Sequence, residues 1–446
     1  MAFGDLLEKV GSMGLFQIVY VCFLSIPVLM IASHNLIQNF SAAVPEHHCQ
    51  TSIQMNGTQS NLTQHLHPED LLKVSIPLDG KQKPEQCLQF TTTQWQLLEG
   101  NATLLEVETE PCRDGWVFDD SVFASSIVTE WELVCDLRSL KELAQSLFMA
   151  GVLIGALIFG SLSDRWLPES ARWLIVNNKT EVALRNLKRV AKMNGKKEEG
   201  EKISLEMLQL EVAEKSPKAS THSILDLFRT PAMCRISCCL MFVSFSTNFA
   251  YFGLSMDLRN FGFSTHLVQM LFGSIDVFAK ILCGVMLTFF GRRTVQASSL
   301  ILAGIFLLAN TALPLDMQTF RITLVMLGKG CLSASSLCSY LYSGELFPTV
   351  VRQTGMGLTT MMARLGGIVA PMVLMAGDYV AFLPLVIFGG APIISGVAAC
   401  FLPEMLNAPL LDTIEEVEDR ARRKEIVTIQ EKRAEIVIEV IEGTRL

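Results

Sequence analysis

Ionisable side chains interrupt several apolar stretches of this sequence, among them Asp276 and Lys280 in residues 266–290 and Arg364 in residues 354–376. Hydrocarbon penalises such groups by a few kcal/mol or more, so each is a functional candidate by position alone. Asp276 and Lys280 stand four apart, on one helical face, where they can pair; a mutually neutralised structural pair is the plainer alternative. Arg364 lies among Gly355, Gly357, Gly366 and Gly367 with no acidic residue near it in sequence. Its planar fork suits bidentate docking of a carboxylate or sulfate, against the alternative of snorkelling to the interface. Lys329, between Gly328 and Gly330, reads either as a pathway-facing or as a structural charge.

The elements that must carry these groups are membrane spans. Half of the 446 residues are hydrophobic and 18% are charged, below the usual charged share of soluble domains. A first apolar run, 16–37, is long enough to cross a bilayer and lacks a cleavage pattern, so a retained span is expected. A second is expected at 140–162, where Ala144, Gly151, Gly155, Ala156 and Gly160 permit close helix approach. Six more follow at about 236–256, 266–290, 295–314, 321–343, 354–376 and 382–402, a six-span bundle over 236–402. The first fifteen residues and the charged tail 403–446 are expected on the cytoplasmic side.

Between the first two spans, residues 38–139 hold fifteen acidic residues against five basic ones. Sequons at Asn39, Asn56, Asn61 and Asn101 share this stretch with Cys49, Cys87, Cys112 and Cys135. Four cysteines without metal-like spacing predict two disulfides in an oxidising compartment, with three pairings open. An extracellular glycosylated domain follows. Residues 163–235 carry fourteen Lys or Arg, the cytoplasmic signature. The net charge of −8 argues against a nucleic-acid partner. No phosphate-binding glycine loop, metal-ligand cluster or nucleophile elbow appears, so neither enzyme, cofactor nor metal is expected.

Two turns echo one another. Gly160-Ser161-Leu162-Ser163-Asp164-Arg165 follows the second span, and Gly284 with Gly291-Arg292-Arg293 closes the fourth. Together they resemble the loop signature G-x-L-x-D-R-x-G-R-R of the major facilitator superfamily. Pro168-Glu169-Ser170-Ala171-Arg172-Trp173-Leu174 and Gly344-Glu345-Leu346-Phe347-Pro348-Thr349 with Arg352 resemble the organic anion and cation transporter family. So do Met1-Ala2-Phe3, His34-Asn35, Asn39-Phe40, Pro111-Cys112 with Asp114-Gly115-Trp116, and Thr129-Glu130-Trp131 through Cys135-Asp136. The resemblance covers nearly the whole chain and points to the organic anion branch.

That resemblance implies an all-α polytopic bundle of the major facilitator type, moving organic anions by alternating-access exchange against an intracellular dicarboxylate, without ATP or sodium at the step itself. It places Lys280 and Arg364 in the anion pathway and lines the path with Tyr251, Phe252 and Tyr340. His34 and Asn35, at the outer end of the first span, are candidate lining or helix-contact groups. Glu345 and Arg352, with Asp164, Arg165, Asp276, Arg292 and Arg293, are expected in gating or charge contacts. One departure is large. In relatives, four spans separate the Asp-Arg turn from the Pro-Glu-Ser motif; here they abut at Arg165-Trp166. About eight spans instead of twelve are therefore expected, as in a splice variant. The alternative function is a transport-incompetent form, retained in the endoplasmic reticulum or regulating full-length partners, in place of a plasma-membrane transporter.

Overall fold

The computed structural model describes residues 10–11, 13–51, 68–79, 83–99, 107–166, 171, 174, 179–205, 208, 224–256, 265–314, 317–348, 350–377, 380, 382–408, 411 and 413–423. The sequons at Asn56, Asn61 and Asn101 fall outside them, as do the side chains of Asn35, Asp164 and Arg165. The chain is mostly helical and divides into two compact units, His34–Gln145 and Met1–Ser33 with Ser146–Leu446.

The long helices are α1 (Leu15–Ser41), α3 (Arg138–Trp166), α5 (Pro231–Met256), α6 (Thr265–Phe290), α7 (Arg292–Ala312), α8 (Gln318–Leu346), α9 (Arg352–Ala376) and α10 (Leu383–Ala399). Two shorter ones are α2 (Pro68–Ser75) and α4 (Thr180–Met193). Five of them, α5 to α9, are long and apolar enough to cross a membrane; Leu15–Ile31 and Leu383–Ala399 are shorter apolar helices. Pro27, Pro371 and Pro392 sit inside helices; membrane helices tolerate proline where neighbouring side chains and local backbone adjustment satisfy the freed carbonyl.

The main core lies where α5, α6, α7 and α8 meet: Val243, Ala250, Leu254, Phe272, Leu300, Ala303, Leu307, Val325 and Leu332 are all buried there. α10 closes against α7, where a Cβ at Gly304 would fall inside Ile393 and the Gly389 carbonyl. The missing side chain is what lets the two backbones approach. α3 joins this body through Met149, packed with Phe249, Phe252, Ala370 and Phe388, and through Ser146, whose hydroxyl donates to the Ile368 carbonyl at 3.1 Å. By contrast, α1 is barely packed: Phe23 is 74% exposed and Leu29 70%.

The same unit carries a smaller core of Val10, Leu174, Ala183, Leu187, Ala191, Ile203 and Leu208. α4 contributes three of these at four-residue spacing, so one face is buried and the other is not.

The unit His34–Gln145 holds two short antiparallel pairs. β1 (His47–Cys49) lies against β4 (Trp116–Phe118), and β2 (Leu88–Phe90) against β3 (Thr109–Pro111). Disulfides join Cys49 to Cys112 and Cys87 to Cys135, selecting one of the three pairings. Ser126 starts a turn of helix through a reciprocal cap with Thr129.

Candidate functional site

Polar side chains gather where α5, α6 and α8 meet inside the bundle. Tyr251 of α5 donates its hydroxyl to Asp276 Oδ2 of α6 at 2.5 Å. Lys329 of α8, 2% exposed, donates to Ser255 Oγ at 2.5 Å. Its ammonium lies 3.7 Å from the Tyr251 ring centroid and 4.8 Å from that of Phe272. An ammonium desolvated between two aromatic faces is stabilised by their quadrupoles, by about 2 kcal/mol where water is excluded. Asp276 Oδ1 is buried and receives no hydrogen bond from a described residue.

This arrangement corrects one detail of the helical-face argument. Among the described residues Asp276 and Lys280 form no ion pair; the Asp276 carboxylate turns to the Tyr251 hydroxyl and Lys280 is exposed. One face of a helix is wide enough for two side chains to diverge when a third group competes for one of them. Arg364, half-buried on α9, has no hydrogen bond or ion pair to a described residue. Phe252 enters the apolar cluster of Phe249 and Phe388, while Tyr251 meets it edge-on at 5.6 Å. Tyr340 is 62% exposed. His34, exposed on α1, belongs to the other compact unit.

A second constellation gathers at the start of α7 and the end of α8. Arg292 and Glu345 meet as a fork, Nε to Oε2 at 2.8 Å and Nη2 to Oε1 at 2.9 Å. Gly291, with φ of +82°, turns the chain into α7. Glu404 then caps that helix: its carboxylate accepts from the backbone N–H groups of Arg292 at 2.8 Å and Arg293 at 3.0 Å. It also accepts from Met405 at 2.8 Å and Leu406 at 3.1 Å. Burial pushes this carboxyl up, but the four backbone donors outweigh it and hold the group below the ordinary carboxylate range. Tyr342 donates to the Pro403 carbonyl at 2.6 Å, and Arg352 Nε to the Phe347 carbonyl at 3.2 Å.

Glu404 carries no sequence signal of a cap, being one of many charges in the tail 403–446; the glycine that opens α7, Gly291, is the one hint. Ser255 and Phe272 are ordinary residues in apolar runs and carried no signal. Lys329 did, as a lone cation between two glycines. In the disulfide unit, one nitrogen of His47 and the sulfurs of Cys87 and Cys135 lie within 4.8 Å of one another. The two sulfurs are already joined, so the cluster does not offer three ligands.

The family described as sugar (and other) transporter matches residues 165–416. Solute carrier family 22 member 6-B of Xenopus laevis is 41% identical over 546 aligned positions, covering 97% of each chain. Member 6 of Danio rerio is 40% identical, covering 94% of this chain and 95% of the relative. Member 20 of Mus musculus is 38% identical over 95% of each. The runs Met193-Asn194-Gly195 and Leu225–Pro231 resemble member 20, but 38% identity to it against 41% to member 6-B does not single it out. Among solved structures, the proton:xylose symporter XylE bound to 6-bromo-6-deoxy-D-glucose aligns with a TM-score of 0.40 and 18% identity, over 64% of this chain and 66% of that one. That likeness is too slight to add to the assignment, which rests on sequence. By those matches and by its apolar helices, the chain belongs to solute carrier family 22 of the major facilitator superfamily, a family of multi-pass membrane transporters and not of enzymes.

Proposed function

We propose that the helices from α5 to α10 carry the binding chemistry of an organic anion transporter. Arg364 docks the anionic group, Lys280 and Lys329 add positive field, and Tyr251 with Tyr340 receives the apolar body. Phe252 supports Tyr251 from the core, and His34 with Asn35 serves the outer end of the path. The observation that carries this reading is Arg364: a half-buried guanidinium without a partner among the described residues. A charge desolvated without compensation is costly, and an incoming carboxylate or sulfate relieves that cost. Lys280, Lys329 and Arg364 against Asp276 leave an excess of positive charge. The inferred cycle is alternating access in exchange for a dicarboxylate, at the plasma membrane, with neither ATP nor sodium consumed at the step. Asp164 and Arg165, with the Arg292–Glu345 fork and Arg352, hold one end of the bundle closed.

A second reading has its own support. Member 6-B aligns over 546 positions and this chain has 446 residues; a shortfall of about 100 residues is what four spans with short loops occupy. The family match opens at residue 165, at the Arg165-Trp166 join. α1 presents nearly its whole apolar surface, as expected of a helix whose neighbours are absent. On this reading the chain has two amino-side spans against six, lacks one wall of a midplane site, and is retained in the endoplasmic reticulum or pairs with full-length relatives.

Surface-normalised uptake of a labelled steroid sulfate, in cells expressing this chain and its Arg364→Ala variant, decides between them. Saturable uptake that falls at least ~10-fold in the variant, the loss of one charged contact, upholds the transporter. Surface protein without uptake overturns it in favour of the second reading.

A further inference from the structure

We propose that the outward face of α4 binds anionic lipid headgroups of the cytoplasmic leaflet. The inference rests on the reading of residues 163–235 as cytoplasmic, and extends it from sidedness to a specific surface and ligand.

α4 is two-faced. Thr180, Ala183, Leu187 and Ala191 are buried and most of them enter the small core with Val10, Leu174, Ile203 and Leu208. Arg185, Lys188, Arg189 and Lys192 recur at positions i, i+3, i+4 and i+7, which is a single stripe on the opposite side. Arg185, Arg189 and Lys192 are exposed, and none of the four has an ion pair to a described residue. The helix has one acidic residue, Glu181. Beside the stripe lie two exposed apolar side chains, Val182 at 43% and Met193 at 46%. Basic and apolar groups together on an outward face are the composition of an interfacial helix.

An independent contact ties the carboxyl end of α4 to the start of α1. Asn194, directly after α4, grips the chain where the first span begins. Its Nδ2 donates to the carbonyls of Val10 at 3.1 Å and Gly11 at 3.0 Å, and to Gln17 Oε1 at 3.0 Å. Its Oδ1 accepts from the backbone N–H of Phe16 at 2.9 Å. Phe16 opens the apolar run, so the carboxyl end of α4 stands at headgroup level. At about 1.5 Å of rise per residue, Lys192 and Arg189 lie roughly 3 and 8 Å from Asn194 even if the helix stands upright. Both are within about one Debye length of the anionic surface. A lipid phosphate or carboxylate is therefore the anion these side chains meet at the highest local concentration.

The test uses the purified full chain in nanodiscs. Native mass spectrometry counts retained phosphatidylserine or phosphatidylinositol bisphosphate against phosphatidylcholine. The variant is R185Q/R189Q/K192Q. The control is K197Q/K202Q, whose charges already pair with Glu201 at 4.0 Å and Glu199 at 3.3 Å. Expected is selective retention of anionic lipid that falls on the order of 100-fold in the triple variant and stays in the control. Thermal unfolding in neutral lipid verifies that the variant folds. Inorganic phosphate at matched charge leaves retention unchanged. Retention equal in the triple variant, no preference over phosphatidylcholine, or displacement by phosphate overturns the proposal. Antibody access to residues 185–197 only after permeabilisation tests the sidedness separately.

Discussion

Lys329 and Tyr251 meet face-on, ammonium to ring centroid at 3.7 Å, while the same Tyr251 donates its hydroxyl to Asp276. One ring thus stands between a buried cation and a buried carboxylate. Tyr251→Phe keeps the face under Lys329 and removes only the hydroxyl bond; a loss of about 1–2 kcal/mol is expected. Tyr251→Ala removes ring and bond together, with a loss of about 3 kcal/mol or more. Thermal unfolding in detergent reads both, and equal losses would show that the ring face contributes nothing.

Glu404 makes the bundle sensitive to acid. Its folded carboxyl lies below the usual range, so the stabilisation it supplies is complete above the unfolded value near ~4.3 and is lost as pH falls through the folded value. Glu404→Gln removes that dependence and costs about 1–2 kcal/mol at neutral pH, since a charged acceptor is exchanged for a neutral one at a helix N-terminus. Unfolding temperatures from pH 7 down to 3, compared between the two proteins, check the sign.

Gly291 admits no side chain. A Cβ there would stand 2.7 Å from Glu404 Cδ, at a φ of +82°. Gly291→Ala combines left-handed strain with displacement of the cap, and a loss of about 1–3 kcal/mol is expected. In a Glu404→Ala background, where no carboxyl is left to meet the new Cβ, the strain component should persist because it belongs to the backbone; full rescue would assign the cost to the clash alone.

The two disulfides close loops of 63 and 48 residues. Replacing either pair by serine is expected to cost about 2–5 kcal/mol in the His34–Gln145 unit. Accelerated proteolysis within residues 34–145, with the helices from α5 onward left intact, is the readout. Equal digestion of both regions would mean that the units do not unfold separately.

The apolar runs were legible because length against bilayer thickness is a coarse quantity, and α5 to α9 coincide with them. The four cysteines were legible as a set but not as pairs: spacing leaves three solutions, and only the β1–β4 and β2–β3 frame brings Cys49 to Cys112 and Cys87 to Cys135. Ionisable residues in spans announced themselves, whereas their partners did not. Asp276 had a neighbour four residues away, yet its hydrogen bond comes from Tyr251, 25 positions distant. Glu404 and Asn194 were hidden for a similar reason, since their work is done on backbone N–H and carbonyl groups, which every sequence contains everywhere.

The Asn194 grip on Phe16 joins positions 178 residues apart. A ribosome adding about 5–20 residues per second needs roughly 9–36 s to travel that distance. During that interval α1 has already been made while its clasp does not yet exist. The fastening of the amino terminus is therefore among the later events in the life of the nascent chain, set by translation speed rather than by the strength of four hydrogen bonds.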